Sequence, residues 1–365
     1  MGRSTDDITA FRIFETMNDR GLGLSAADLL KNYLFALADE DMSEAYQQWF
    51  QMQGAIESVT DDKKALLDYI RYYWLSAWAH TIKDKLYADI NKRIRSKNEA
   101  LSLVASLKDS SSLYAALLNP EHNFWNQFPE SLRHEVSTLH SLRVTQVRPL
   151  LLAGVQKFNS DHKELEKFFR SLVNWSVRFL ISGGLGGGVL ESKYGAAARQ
   201  ITAGKIQTVK QLADDFVEVI PPDVVFENDF AAAQVKQVYL AKYYLARLEQ
   251  QATGDAEPHF EVSKSGGINL EHVLPLSAKG DDAQIARSYG TRLGNVVLLQ
   301  QSKNEQIGDK DYHSVKSPVL LGSKFMLTQE AGGKTKWGAE QIIERQKRLA
   351  ALAVEAWPIQ VKVTR

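Results

Sequence analysis

The chain has 365 residues, 44% of them hydrophobic, and its 44 basic side chains balance its 44 acidic ones, so no global field of either sign advertises a nucleic-acid or membrane surface. That length points to two or three domains with ample apolar content for real cores. Cysteine is absent, which excludes disulfides, thiolate zinc sites and cysteine nucleophiles and fits a cytoplasmic protein; the chain opens without an apolar signal core, and no run approaches the roughly 20 apolar residues that span a bilayer, so no membrane is expected.

In chain order, residues 10–21 read as a helix ending in a glycine turn, and Ser25 is a fitting N-cap for a second helix over 26–38. On the residues alone, Gly21 supplies the left-handed conformation that closes a helix, and Asn18 and Arg20 are solvated neighbours. Residues 41–260 read as almost wholly helical. Leu66, Leu67, Ile70, Tyr73, Trp74 and Ala77 recur at helical spacing, as do Leu165, Phe168, Phe169, Leu172, Trp175 and Phe179; such stripes are core faces. A short apolar helix over 147–155 is interrupted by Pro149, and breaks fall at Asn119-Pro120, Phe128-Pro129 and Pro221-Pro222, the last marking a subdivision near 221 before a long helix over 229–251. The glycines between Ser182 and Gly188 lack the Lys-Ser or Lys-Thr of a phosphate-binding loop and follow a helix, so they read as a helix-to-helix connection.

The final stretch, 261–365, carries 15 Lys plus Arg against 11 Asp plus Glu, a modest basic bias. Its order is strand, loop, strand, helix: residues 268–272 and 296–299 are short apolar runs entered through glycines, 281–292 is polar loop, and Ser302 caps a helix that starts at Lys303. On this frame stand Glu271-His272, Asn295 and Asn304. Phosphodiester hydrolysis needs a base to activate water and a cation to neutralise the charge that builds on the phosphate. His272 is a candidate base, while Glu271 and the amide oxygen of Asn304 are hard ligands of the kind magnesium accepts. Asn295 is left to orient the imidazole. Trp337, Ile342, Leu349, Ala353 and Trp357 trace one face of the last helical segment.

The pattern Glu-His-x-x-Pro at 271–275, Leu-Gly-Asn-Val-Val-Leu-Leu at 293–299, then Asn304, Tyr312, Lys316, Ser323 and Trp337 resembles the HNH-type nuclease domain of GmrSD-like restriction endonucleases. The resemblance implies a mainly α chain whose multi-helix N-terminal and middle region precedes a small α+β domain of the ββα-metal type. It implies a restriction or phage-defence endonuclease in which Glu271 and Asn304 hold Mg2+ or Mn2+, His272 is the base and Asn295 supports it. Lys303, Lys310 and Lys316 are then candidates to follow the DNA backbone. The expected partners are DNA, including modified or phage DNA, and either a second copy or a separate regulatory subunit. Phe14, Asn18 and Gly21 match a Phe-x-x-x-Asn-x-x-Gly motif in the family's nucleotide-binding regulatory domain. The Asp-Gly-Gln-Gln-Arg motif that precedes it in the family has no counterpart here, so residues 1–40 are expected to be only that domain's tail, without a complete nucleotide site. The helical domain then covers 41–260 and the nuclease domain 261–365. Relatives often carry a further asparagine shortly after Asn304, where this chain has Gly308 and Asp309. The alternative reading is a non-catalytic nucleic-acid-binding or regulatory subunit with a degenerate nuclease fold.

Overall fold

The computed structural model describes residues 26–183, 185–254 and 267–361. Phe14, Asn18 and Gly21 lie outside them. The described chain is mainly helical with one two-stranded sheet, and it divides into two compact units.

The first unit, drawn from 26–140, 144–169 and 185–212, is built of helices. They are α1 (Ala26–Ala38), α2 (Met42–Glu57), α3 (Ala65–Ala77), α4 (Leu86–Arg93), α5 (Lys97–Leu118), α6 (Glu130–Ser141), α7 (Arg148–Phe158), the start of α8 (His162–Ser182) and α9 (Gly187–Thr202). A capping box sets the start of α5: the Ser96 hydroxyl accepts from the Glu99 amide and the Glu99 carboxylate accepts from the Ser96 amide. Leu103, Val104 and Leu107 of α5 are buried, as are Trp49 and Met52 of α2, which packs against it. Pro149 starts α7 rather than interrupting it, because the first turn has no use for the missing N–H. Farther along α7, a Cβ on Gly154 would sit 2.1 Å from the ring of Phe168, so only glycine admits that ring.

The second unit comprises 141–143, 170–183 and the described residues from 213 onward. After the end of α10 (Val209–Phe216) come α11 (Asp223–Ala232) and α12 (Val238–Thr253). The single helix expected over 229–251 is therefore two, because the chain between them is drawn into bonding with another segment: Val235 donates to the Thr291 carbonyl at 2.9 Å, and Gln234 and Arg292 form an isolated bridge. Then follow β1 (Ile268–His272), α13 (Asp282–Tyr289), β2 (Val296–Gln300), α14 (Gln301–Ile307), a π-helical turn over Tyr312–Lys316, α15 (Ser317–Leu321), α16 (Met326–Gly332) and α17 (Ala339–Ala356). The stretch read as loop over 281–292 thus holds a helix, and α14 starts at Gln301, before Ser302, which does not cap it.

Residues before 261 belong to this unit because polar side chains tie them to it. Lys242 on α12 donates to the Ile268 carbonyl at 2.8 Å. Glu249, its carboxyl pushed up by burial, accepts from the amides of Met326 and Leu327 where α16 begins, satisfying donors that a helix start leaves open. Arg178 on α8 is fully buried and donates to the carbonyls of Trp357 at 2.7 Å and Pro221 at 2.8 Å, and to Asp223 at 2.6 Å.

Helix α17 supports the turn before β2. Ile342, Leu349 and Ala353 form its buried face, and Arg345 and Gln346 lie among them. The guanidinium of Arg345 donates to the carbonyls of Leu293, Gly294 and Val296 at 2.8, 3.1 and 2.9 Å. Gln346 accepts from the Gly294 amide and donates to the Phe230 carbonyl. The approach is so close that a Cβ at Gly294 would meet the Ile342 carbonyl at 2.3 Å. Gly294→Ala should therefore cost about 1–3 kcal/mol, read as a drop in the unfolding midpoint of the full chain; an unchanged midpoint would show that the contact gives way freely.

Candidate active site

Strands β1 and β2 pair antiparallel, with Glu271 opposite Val297 and His272 opposite Val296. Directly paired residues share a face, so Asn269, Glu271, Val297 and Leu299 lie on one side of the ribbon. Val297 and Leu299 belong to the same buried cluster as Ile307, which identifies that side as the one α14 covers. Asn304 precedes Ile307 by three residues and so shares its helix face. The chain order thus brings Glu271 and Asn304 to one side of the ribbon. His272, next on the strand, starts from the opposite face at the ribbon's last residue.

The Asn304 amide oxygen is buried and has no hydrogen-bond partner among the described residues. Such an atom costs free energy unless something pairs with it. The Glu271 carboxyl is raised above the usual range by burial, with Asp309 adding to the effect and Lys316 opposing it. The His272 imidazole is lowered, first by burial and then by the Lys316 charge. A lowered imidazole is neutral at pH 7, the state in which it can take a proton.

Lys316 is 0% exposed. Its ammonium donates to Glu271 Oε1 at 2.6 Å and to the His272 carbonyl at 2.7 Å. The expectation that Lys316 follows DNA is corrected: a buried amine bonded to the site carboxylate is closed to a phosphate backbone. The π-helical turn delivers it there, with the Lys316 amide reaching five residues back to the Asp311 carbonyl; such turns are rare and concentrate at functional sites. Lys303 donates to the Gly322 carbonyl and is half-buried, while Lys310 donates to the Gln306 carbonyl and remains exposed.

Asn295 is brought to the site's edge with a different task from the one expected. Its side chain, 0% exposed, makes four bonds. Oδ1 accepts from the Leu274 amide at 2.9 Å and from the Trp337 indole at 3.0 Å, and Nδ2 donates to the carbonyls of Leu274 at 2.9 Å and Gly290 at 3.2 Å. Two of these bonds go to the backbone just past His272 and none to its ring, so Asn295 fixes where the chain turns at the strand end. Trp337 lies against Tyr312, ring centres 5.7 Å apart, and the Tyr312 hydroxyl donates to the Ala331 and Lys334 carbonyls. Ser323 is buried and accepts from the Phe325 amide.

Residues 220–352 match the family model of the C-terminal domain of GmrSD restriction endonucleases. Over these residues the chain is similar to that family's domain. The matched region spans α11 through most of α17, so the family's domain includes both the ribbon and the helices that brace it. No curated protein matches the chain.

The residues fit a divalent cation. Glu271 and Asn304 offer a carboxylate and an unpartnered amide oxygen, hard donors of the type magnesium takes while keeping several waters. Among the described residues no group of three or more His, Asp or Glu side chains is arranged around a metal, so a cation here would rest on one carboxylate, one amide and water.

Removing the Asn295 side chain strands buried donors on Leu274 and Trp337. Asn295→Ala should therefore lower stability by on the order of 3 kcal/mol. Asn295→Asp, which keeps the acceptor but loses both donor bonds and buries a charge, should not rescue it in thermal unfolding. Either variant melting with the parent would contradict the assignment.

Proposed function

We propose that the chain is a metal-dependent endonuclease of a bacterial restriction or phage-defence system, acting on DNA through an HNH-like strand, strand, helix centre. The observation that carries this reading is the buried, unpartnered Asn304 oxygen on the same side of the ribbon as Glu271, beside an imidazole held neutral. The similarity of residues 220–352 to the C-terminal domain of GmrSD restriction endonucleases supports it.

Glu271 and Asn304 would hold Mg2+ or Mn2+, which when bound neutralises the charge that develops on the phosphate and leaving oxygen. His272 accepts a proton from the attacking water, so that the new P–O bond forms as the bond to the leaving oxygen breaks. Neighbouring strand residues start on opposite faces, and the strand end is where both can address one ligand; Asn295 fixes the turn there. Lys303 and Lys310 stand on or beside the helix that carries Asn304, where they can follow the DNA backbone. A nucleic-acid-binding or regulatory role without cleavage draws on one observation: Glu271 is already paired with Lys316, so the site is neutralised within the protein.

Plasmid cleavage separates the two. Full chain with Mg2+ or Mn2+ should nick plain or modified DNA, with activity abolished by chelation. His272→Ala should lose about 10²–10⁴-fold, and Asn304→Ala should lose activity while melting as the parent does. Undiminished metal-dependent nicking by His272→Ala would contradict the mechanism, and absence of any cleavage by the parent on all substrates would favour the non-catalytic role.

A further inference from the structure

Lys316 is not accounted for by this chemistry. It is buried, yet a buried ion pair is a poor route to stability compared with apolar residues of similar volume. The domain's buried cluster, with Val273, Leu274, Val297, Ile307 and Leu320, is apolar, and Tyr312, Val315 and Val319 of the segment around Lys316 pack against it. The fold nevertheless departs from ordinary helix in a five-residue π turn to put an ammonium at this position.

The bond pattern specifies what the ammonium does. It engages one carboxylate oxygen of Glu271 and the backbone carbonyl of His272, so a single point charge fixes both the metal-facing side chain and the strand end that carries the imidazole. With Oε1 committed, Oε2 is the carboxylate oxygen left for a cation. The charge sum also changes. Glu271 alone with a divalent cation leaves the resting site at +1, whereas Lys316 raises it to +2, so a phosphodiester that gains a second negative charge when hydroxide adds to it meets one more positive charge.

We propose that Lys316 is a positioning residue that holds Glu271 through one oxygen, leaves the other for a divalent cation, and gives the site one added positive charge at the expense of resting cation affinity. This rests on the nuclease reading above. The added charge repels the cation in the resting protein and is useful only when phosphate charge develops, so binding and turnover should respond in opposite directions.

The test uses the full chain and Mn2+ alone as the probe, with Lys316→Gln, which keeps a donor but removes the charge, and Lys316→Arg, which keeps the charge. Mn2+ affinity is measured by calorimetry, and cleavage is measured in single turnover at saturating Mn2+. Lys316→Gln should bind Mn2+ about 10-fold more tightly yet cleave about 10²-fold more slowly, and Lys316→Arg should recover part of the rate with affinity near the parent's. A Lys316→Gln protein that binds Mn2+ more weakly, or binds and cleaves as the parent does, overturns the proposal and leaves the nuclease reading standing. Should Lys316→Gln not fold, Lys316→Arg decides: parental affinity with retained cleavage supports the role of charge, and loss of Mn2+ binding in the folded variant overturns it. A parent that neither binds Mn2+ nor cleaves overturns both.

Discussion

The geometry of this site depends on one buried side chain that does no chemistry. Asn295 uses both its oxygen and its nitrogen to bind the backbone at Leu274 and also engages Trp337 and Gly290. A two-stranded ribbon is marginal by itself. Here its ends are held from outside, by Asn295 after β1 and by Arg345 and Gln346 before β2. The turn over Leu293–Asn295 is consequently a junction where a buried apolar residue, a glycine pressed against α17 and a four-bonded amide meet.

That bracing explains why the small ribbon needs so much helix around it. Helix α12 bonds β1 through Lys242, Glu249 closes the start of α16, and Thr328 on α16 donates to the Leu298 carbonyl of β2 at 2.8 Å. The bonds from Lys242 and Thr328 satisfy carbonyls of the two strands, and those to Glu249 satisfy amides that the start of α16 leaves open. The polar atoms spared from this scheme stand out against it. The Asn304 oxygen is one of few buried side-chain atoms without a partner among the described residues, and it lies on the helix whose sequence position follows directly from β2.

Both strands and the helix carrying Asn304 were legible in the sequence because short apolar runs entered through glycine have few other solutions, and Glu271, His272 and Asn304 were singled out on them by residue type and by the family resemblance. Two features were not legible. Lys316 reads as a lysine that follows the DNA backbone because nothing local announces a π turn; its partner is 45 positions away. Asn295 reads as a partner for histidine because its type and position permit that bond, whereas its partners are the backbone at Leu274 and Gly290 and the Trp337 indole, none of which its local sequence announces. A signal for Arg345 was present and overlooked: it falls three residues after Ile342 and four before Leu349, on the apolar stripe of α17. The split of the expected 229–251 helix has the same origin as the Asn295 error, since pairing with residues 291 and 292 is a long-range event.

The most direct test of the account is a crystal of the full chain soaked in Mn2+, read by anomalous difference density. The account predicts a single strong peak about 2.1 Å from a Glu271 carboxylate oxygen and from the Asn304 amide oxygen, with Lys316 still on the other carboxylate oxygen. Density elsewhere with none between Glu271 and Asn304 at saturating Mn2+ would contradict it.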